Sequence, residues 1–268
     1  MPVIDFDNYP GSKTVLGRLL RLPLAAIPKT AIVPILNGPL KGKRWIVGSG
    51  IHRLWLGSYE PAKMNLAAKL VNRGDVVFDI GANVGIYTLL FSEAIGRPGR
   101  VFAFEPSPLN VRHLERHLEL NRVWNVEVVE VAVSDSSGTA TFDTTSGSCT
   151  GRLETGGDLA VDTTTIDEFV GANHVRPSLI KIDVEGSEAL VLRGAARTLR
   201  ELRPQILLAT HSADIKRECL DILAGHDYDV REIADGGVVH ADELVARPSA
   251  YRRRQMASQP QRTSRQAS

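Results

Sequence analysis

Cysteine is scarce in this sequence. Two residues, Cys149 and Cys219, stand far apart, with no Cys-x-x-Cys pair and no Cys/His cluster. That removes a zinc site of ordinary spacing and a disulfide framework from consideration, and the expected compartment is the cytoplasm. Long apolar runs are also missing. Nothing approaches the roughly 20 residues needed to cross a bilayer. The most apolar stretch, residues 15–36, is broken by Arg18, Arg21, Lys29 and the prolines at 23, 28 and 34, which suits a secretory leader poorly. It reads as a short amphipathic helix near 12–22 followed by an irregular segment capping the domain. Net charge is nearly absent, +1 over 268 residues, yet it is unevenly spread. Residues 1–44 carry seven Lys/Arg against Asp5 and Asp7, and residues 244–268 carry six Arg and no acid, which leaves −10 for the middle. An acidic body argues against a nucleic-acid-binding core. The basic N-terminus is the candidate for peripheral contact with an anionic membrane, and the simpler reading of both ends is solvated tails.

What is present is an alternation of strand and helix. The run 76–80, VVFDI, is short and apolar but for Asp79, as expected of a strand buried on both faces. A helix is expected over 84–95, a strand over 101–105, a helix over 108–121 opening on Pro108, and one strand over 126–133. Residues 134–163 are rich in Ser, Thr and Gly and read as a hairpin-like excursion. The rhythm then resumes with a strand at 178–184, a helix at 187–202, a strand at 205–210 and a helix at 213–224. Two last strands, 227–233 and 237–241, flank Asp235-Gly236-Gly237, a good hairpin turn. The expected fold is α/β, a doubly wound, mostly parallel sheet with an antiparallel edge hairpin. The expected division is a cap over 1–60, the main domain over 61–246 and a basic disordered tail over 247–268.

The strongest local signal is Asp79-Ile80-Gly81-Ala82-Asn83-Val84-Gly85, a buried strand running through a small-residue turn into a helix. Ligands of open parallel sheets bind beyond the carboxyl ends of the strands. A phosphate-binding loop needs a Gly-Lys-Ser/Thr ending, which is absent. A dinucleotide loop needs three glycines, and Asn83 and Ile86 stand where the second and third would fall. S-adenosylmethionine carries no phosphate, and a carboxylate such as Asp79 suits its amino-acid head and sulfonium. Gly81 permits a tight turn, and Gly85 lets the helix approach the strand. Glu105, 24 residues after Gly81 and followed by Pro106, is spaced to receive ribose hydroxyls. Ala132 at the third strand end suits one wall of an adenine slot, with Asp135 or the Ser134 backbone reading the base. A structural strand-turn-helix is the bland alternative for the loop alone.

From about Gly57 to His211 these residues resemble the FkbM family of methyltransferases. The resemblance rests on Gly57-Ser58-Tyr59-Glu60, on Asp79 through Thr88, on Glu105-Pro106, on Ala132-Val133-Ser134-Asp135, and on Lys181-Ile182-Asp183-Val184-Glu185-Gly186-Ser187-Glu188. It implies a class I methyltransferase fold, S-adenosylmethionine as donor, and a hydroxyl acceptor on a polyketide, a sugar, a glycolipid or a related glycan. The family often has an acid in the strand before the His near 211, where this chain reads Leu207-Leu208-Ala209-Thr210-His211. A non-catalytic binding protein that keeps the donor pocket is the rival reading.

Methyl transfer to an alcohol needs positioning and removal of a proton. Asp183 and His211 end neighbouring strands, with Glu185 on the loop after Asp183. Either His211 is the base and Asp183 orients it, with activity rising through the ordinary histidine value of about 6.5, or Asp183 and Glu185 hold a divalent cation that acidifies the alcohol. Glu188 reads as a favourable charge at a helix start, and Lys181 as a buried cation paired with Asp79, Glu105 or Glu185. Tyr59 and Glu60 are expected over the methionine head, and Trp45, His52 and Trp55 form a guessed acceptor wall.

Overall fold

The computed structural model describes residues 24, 26–143, 152–153, 157, 159–235 and 238–249. The helix expected near 12–22 and the chain from 250 onward lie outside the described residues. The central seven-stranded sheet contains β3 (Val76–Ile80), β4 (Arg100–Phe104), β5 (Val126–Val129), β10 (Leu179–Ile182), β11 (Gln205–Ala209), β12 (Tyr228–Asp235) and β13 (Val238–Pro248). Its order is β12-β13-β11-β10-β3-β4-β5. Strands β5, β4, β3, β10 and β11 are parallel, and β13 runs antiparallel to β11 and β12. The chain lays β3, β4 and β5 in one direction and then returns to place β10 on the other side of β3. The crevice between the ends of β3 and β10 is therefore the topological switch point, where ligands of such sheets bind.

Alternation along the strands divides the core in two. Val77 and Val101 face one layer with helices α2 (Pro61–Lys69) and α3 (Ile86–Ile95). Phe78, Phe102 and Ile180 face the other, with α6 (Glu188–Arg193) and α8 (Ala213–Gly225). Phe78, Phe102 and Phe104 gather around Phe169 of α5 (Ile166–Asn173) at ring separations of 4.8–5.5 Å. The three strand rings are fully buried, and each stabilises by roughly 2–3 kcal/mol. Helix α5, not foreseen from the sequence, is capped at its start by the Thr165 hydroxyl, which accepts from the Glu168 N–H, as a capping residue does.

Three expectations are corrected. The strand expected over 126–133 is two. The Val131 N–H folds back on the Val129 carbonyl at 2.9 Å, and β6 (Ala132–Val133) leaves for a second sheet with β7 (Gly138–Asp143), β8 (Arg152–Leu153) and β9 (Leu159–Thr164). The helix expected over 187–202 breaks into α6 and α7 (Ala196–Glu201) at Gly194. A Cβ there would lie 2.1 Å from the Ser134 carbonyl oxygen, so the chain packs too closely for any side chain. The last strand, expected over 237–241, runs from Val238 to Pro248, because Asp229 and Tyr228 pair with Arg247 and Pro248.

The cap precedes the sheet as a small hairpin, β1 (Ile32–Pro34) with β2 (Arg44–Ile46), followed by α1 (His52–Leu56) and α2. Helix α4 (Pro108–Leu120) receives it. Trp45 is fully buried on the His117 ring, 3.7 Å away and nearly parallel. Burial pushes His117 down to about 4, with the neighbouring His113 acting in the same direction and the bond to the Val84 carbonyl opposing. A histidine held neutral in the folded state stabilises it above the unfolded value of about 6.5 and loses that contribution as pH falls toward 4. The loss is on the order of 3 kcal/mol. Urea midpoints measured from pH 7 to pH 4 should fall more steeply for the wild type than for His117→Gln; parallel curves would contradict this. Among the described residues no helix is long and apolar enough to cross a membrane.

Candidate active site

Beyond the ends of β4, β3, β10 and β11 lies a cavity of about 320 Å³, a volume suited to a small ligand. Its floor is the glycine loop. Gly81 holds φ +73, and a Cβ on it would stand 1.9 Å from the Asp183 carbonyl oxygen. Glycine is thus required by the approach of the two strand ends. Gly85 does not line the cavity. It opens α3, and a Cβ there would strike Leu114 of α4 at 2.3 Å, so its smallness serves a helix rather than the strand. Asn83 lines the cavity with φ +51.

Glu105 is buried at one end of the cavity. One oxygen accepts from the Asn83 N–H at 2.8 Å, the other from the Ser107 N–H at 3.0 Å and the Asn110 amide at 3.1 Å. Burial raises its pKa, and these three donors oppose the rise. Pro106, Val131, Ala132 and Phe142 line the cavity near it. Asp135 does not line the cavity and lies 3.7 Å from Arg193. Asp79, expected at the ligand, is fully buried beneath the loop. Its carboxylate accepts from the Thr88 hydroxyl at 2.6 Å and pairs with Lys181 at 3.2 Å. Lys181, 3% exposed, also donates to the Gly81 carbonyl at 2.8 Å. Of the three partners expected for it, Asp79 is the one in contact. Asp79 and Lys181 therefore fasten the loop from below.

The other end carries acid. Tyr59, Glu60, Asp183, Glu185 and Glu243 all line it. The Tyr87 hydroxyl donates to Glu60 at 2.7 Å. Burial, aided by Glu60, holds both Tyr59 and Tyr87 well above the usual phenol range. Behind this wall sits Lys63, 3% exposed, with Nζ 2.6 Å from Glu243, 3.5 Å from Glu60 and 3.8 Å from Asp183. Burial alone would lower Lys63, but these three carboxylates outweigh it and hold the ammonium above its ordinary value. Burial lifts Glu243 to about 7, against the pull of Lys63. Burial would also lift Asp183, yet Lys181, Lys63 and His211 hold it below the ordinary value.

His211 follows β11, and Asp183 follows β10. His211 Nδ1 lies 2.7 Å from Glu188 Oε1, while Nε2 faces Asp183 at 3.6 Å and Glu185 at 3.4 Å. The orienting carboxylate is thus Glu188 rather than Asp183. Glu188 is fully buried, and the same oxygen accepts from the Gly186 N–H. The hydrogen bond to Glu188 raises His211 to about 9, against desolvation and with help from the charges of Glu188, Asp183 and Glu185. The expectation of an ordinary histidine value is corrected accordingly. Burial raises Glu185, with His211 opposing, and its backbone is left-handed at φ +48, a conformation often stored at functional sites. One atom each from Asp183, Glu185 and His211 lies within 4.8 Å of the others, an arrangement able to accept a divalent cation.

Trp45, His52 and Trp55 form no cavity wall. Trp45 is under the hairpin, and the Trp55 indole N–H donates to His52 Nδ1 at 3.1 Å. Ile51 and Leu54 line the cavity in their place. Sequence reasoning missed Lys63, Tyr87 and Glu243. A lysine three residues after Glu60 on a largely apolar helix was the available sign for the first; nothing in the alternation of β13 marks Glu243.

Comparison with known proteins agrees with this geometry. The methyltransferase FkbM domain matches residues 79–233. The chain is 30% identical to hexuronic acid methyltransferase AglP of Haloferax volcanii, over 48% of this chain and 53% of that protein. It is 29% identical to 31-O-demethyl-FK506 methyltransferase FkbM of Streptomyces tacrolimicus, over 59% of this chain and 74% of that one. A crystal structure of methyltransferase FkbM from Methylobacillus flagellatus superposes with a TM-score of 0.49 at 20% identity, over 65% of this chain and 43% of that chain. The chain thus spans about half the length of the first of these relatives. With the domain match covering more than half of its residues and running from Asp79 through the last helix into β12, this chain belongs to the FkbM methyltransferase family.

Proposed function

We propose that the protein transfers a methyl group from S-adenosylmethionine to a hydroxyl of a sugar, glycolipid or polyketide. The donor supplies, when bound, an electrophilic methyl on a sulfonium. The cavity's chemistry fits such a ligand: a buried carboxylate for a diol at Glu105, apolar walls at Val131, Ala132 and Phe142, and four carboxylates, Glu60, Asp183, Glu185 and Glu243, toward the other end. The same carboxylates would repel the pyrophosphate of a dinucleotide. Glu105 receives the ribose hydroxyls, Gly81 to Asn83 carry the donor, and Tyr59 and Glu60 close over its head. His211, oriented by Glu188, takes the acceptor proton on Nε2, and Asp183 stays ionised beside it. The observation that carries this reading is the Glu188–His211 dyad facing the same cavity as Glu105. The acceptor class draws on the named substrates of the relatives. The scarcity of cysteine supports a cytoplasmic setting, and the basic N-terminal segment remains the candidate for membrane contact.

A second reading rests on the convergence of Asp183, Glu185 and His211. There a divalent cation lowers the pKa of the alcohol. EDTA separates the two, sparing the first and abolishing the second. The reaction itself is tested by incubation with methyl-labelled donor and a panel of sugars and polyketide alcohols, followed by mass spectrometry. Donor consumed by no acceptor in a broad panel would favour a binding protein. Glu105→Ala should weaken donor binding by roughly 30- to 150-fold, the loss of two charge-assisted hydrogen bonds worth about 2–3 kcal/mol. Calorimetry that finds unchanged affinity would remove Glu105 from the ribose.

A further inference from the structure

Three residues of the donor loop, Gly81, Asn83 and Gly85, hold left-handed backbone. Asparagine is among the few non-glycine residues that visit that conformation readily. The segment is held from two sides. The Asn83 N–H donates to Glu105 at 2.8 Å, and the Val84 carbonyl meets His117 Nδ1 at 2.8 Å. The other ring nitrogen, Nε2, lies 3.2 Å from the Ile46 N–H. A carbonyl cannot donate and an amide N–H cannot accept, so the ring is neutral with its proton on Nδ1. It is fully buried and stacked on Trp45. One turn on, Asn121 exchanges two bonds with the Arg44 backbone, 2.8 and 2.9 Å. Side chains of α4 thus pair with the edge of β2, and His117 reaches from that edge to a loop whose residues Asn83 and Val84 line the cavity.

We propose that His117 is a positioning residue of the donor site, setting the Val84 carbonyl and with it the loop that carries the donor. The proposal rests on the donor reading given above. Isosteres separate the two bonds. Asparagine places its amide nitrogen near the position of Nδ1, so His117→Asn keeps the bond to Val84 and loses that to Ile46. Glutamine places its amide oxygen near the position of Nε2, so His117→Gln keeps Ile46 and loses Val84. Both lose the stack on Trp45. The measurement is calorimetric titration with S-adenosylhomocysteine well below both melting temperatures. His117→Gln should bind about tenfold more weakly than the wild type, the scale of one buried hydrogen bond, while His117→Asn stays within about threefold. Equal affinities in the two variants, whether normal or reduced, would overturn the proposal. Should His117→Gln not fold, the wild type still decides: the Nδ1–H resonance of His117 should shift as S-adenosylhomocysteine saturates, and an unchanged resonance through saturation overturns the proposal. A wild type that does not bind S-adenosylhomocysteine overturns the donor reading, and this proposal with it.

Discussion

With His211 as the proposed base, His211→Ala should lower the rate of methyl transfer by about 10²–10⁴-fold, the usual contribution of a positioned general base. In the wild type the rate should rise with pH and level off only above about 9, where His211 sheds its proton. The sign follows from the charge. A base accepts a proton only when it lacks one, and Glu188, Asp183 and Glu185 stabilise the protonated ring. Below the His211 pKa most molecules therefore carry an imidazolium that cannot act. Glu188→Gln removes the leading cause of the upward shift. Its pH limb should move toward the ordinary histidine value of about 6.5, with a lower plateau because the ring loses its orientation. Rate profiles of the three proteins check this. A limb that stays put in Glu188→Gln, or full turnover in His211→Ala, would show that the proton goes elsewhere. Full turnover in Asp183→Asn as well would displace the acceptor site altogether.

Lys63→Met should destabilise the protein by about 3–5 kcal/mol, the scale of a buried ion pair stripped of one partner. The lysine is nearly fully buried, and three carboxylates from three different elements converge on it: Glu60 at the start of α2, Asp183 after β10, and Glu243 on β13. Removing the ammonium leaves those carboxylates facing one another with reduced compensation. For a protein of this size the melting temperature should fall by roughly 6–15 °C. The double variant Lys63→Met/Glu243→Gln should recover part of the loss, because it removes the closest stranded charge. Urea denaturation with an unchanged slope is the measurement. A loss below about 1 kcal/mol, or no recovery in the double variant, would mean that solvent reaches the cluster.

The sheet was legible because its central strands are buried on both faces, which leaves runs that are apolar but for Asp79 at 76–80 and wholly apolar at 206–209. The turn at Val131 was not, since valines recur on both sides of it, at 128, 129 and 133, while the chain changes sheets. The break at Gly194 was hidden for a similar reason: Asp167, 27 residues earlier, takes the Gly194 carbonyl with its N–H and the Arg197 and Thr198 N–H groups with its carboxylate. In the site, Gly81, Asn83, Glu105, Asp183, Glu185 and His211 come together as spacing and strand-end placement suggested. Asp79 was misplaced because a carboxylate at a strand end carries no sign of which face it takes; here Lys181 and Thr88 claim it from below. Glu188 was read as a helix-start charge, and it does occupy one, but its oxygen also holds His211. Lys63, Glu243 and His117 act across the fold, and their partners lie far away in sequence. Local pattern has no access to such pairs.

The central claim is that the cavity between β3 and β10 holds S-adenosylmethionine. Its most direct test is titration of the wild-type chain with S-adenosylhomocysteine and, in parallel, with NAD, followed by calorimetry. The account predicts saturable one-site binding of S-adenosylhomocysteine, at least about 30-fold weaker in Glu105→Ala, and no heat from NAD. Binding of NAD in preference, or failure of S-adenosylhomocysteine to bind the folded protein at all, would contradict it.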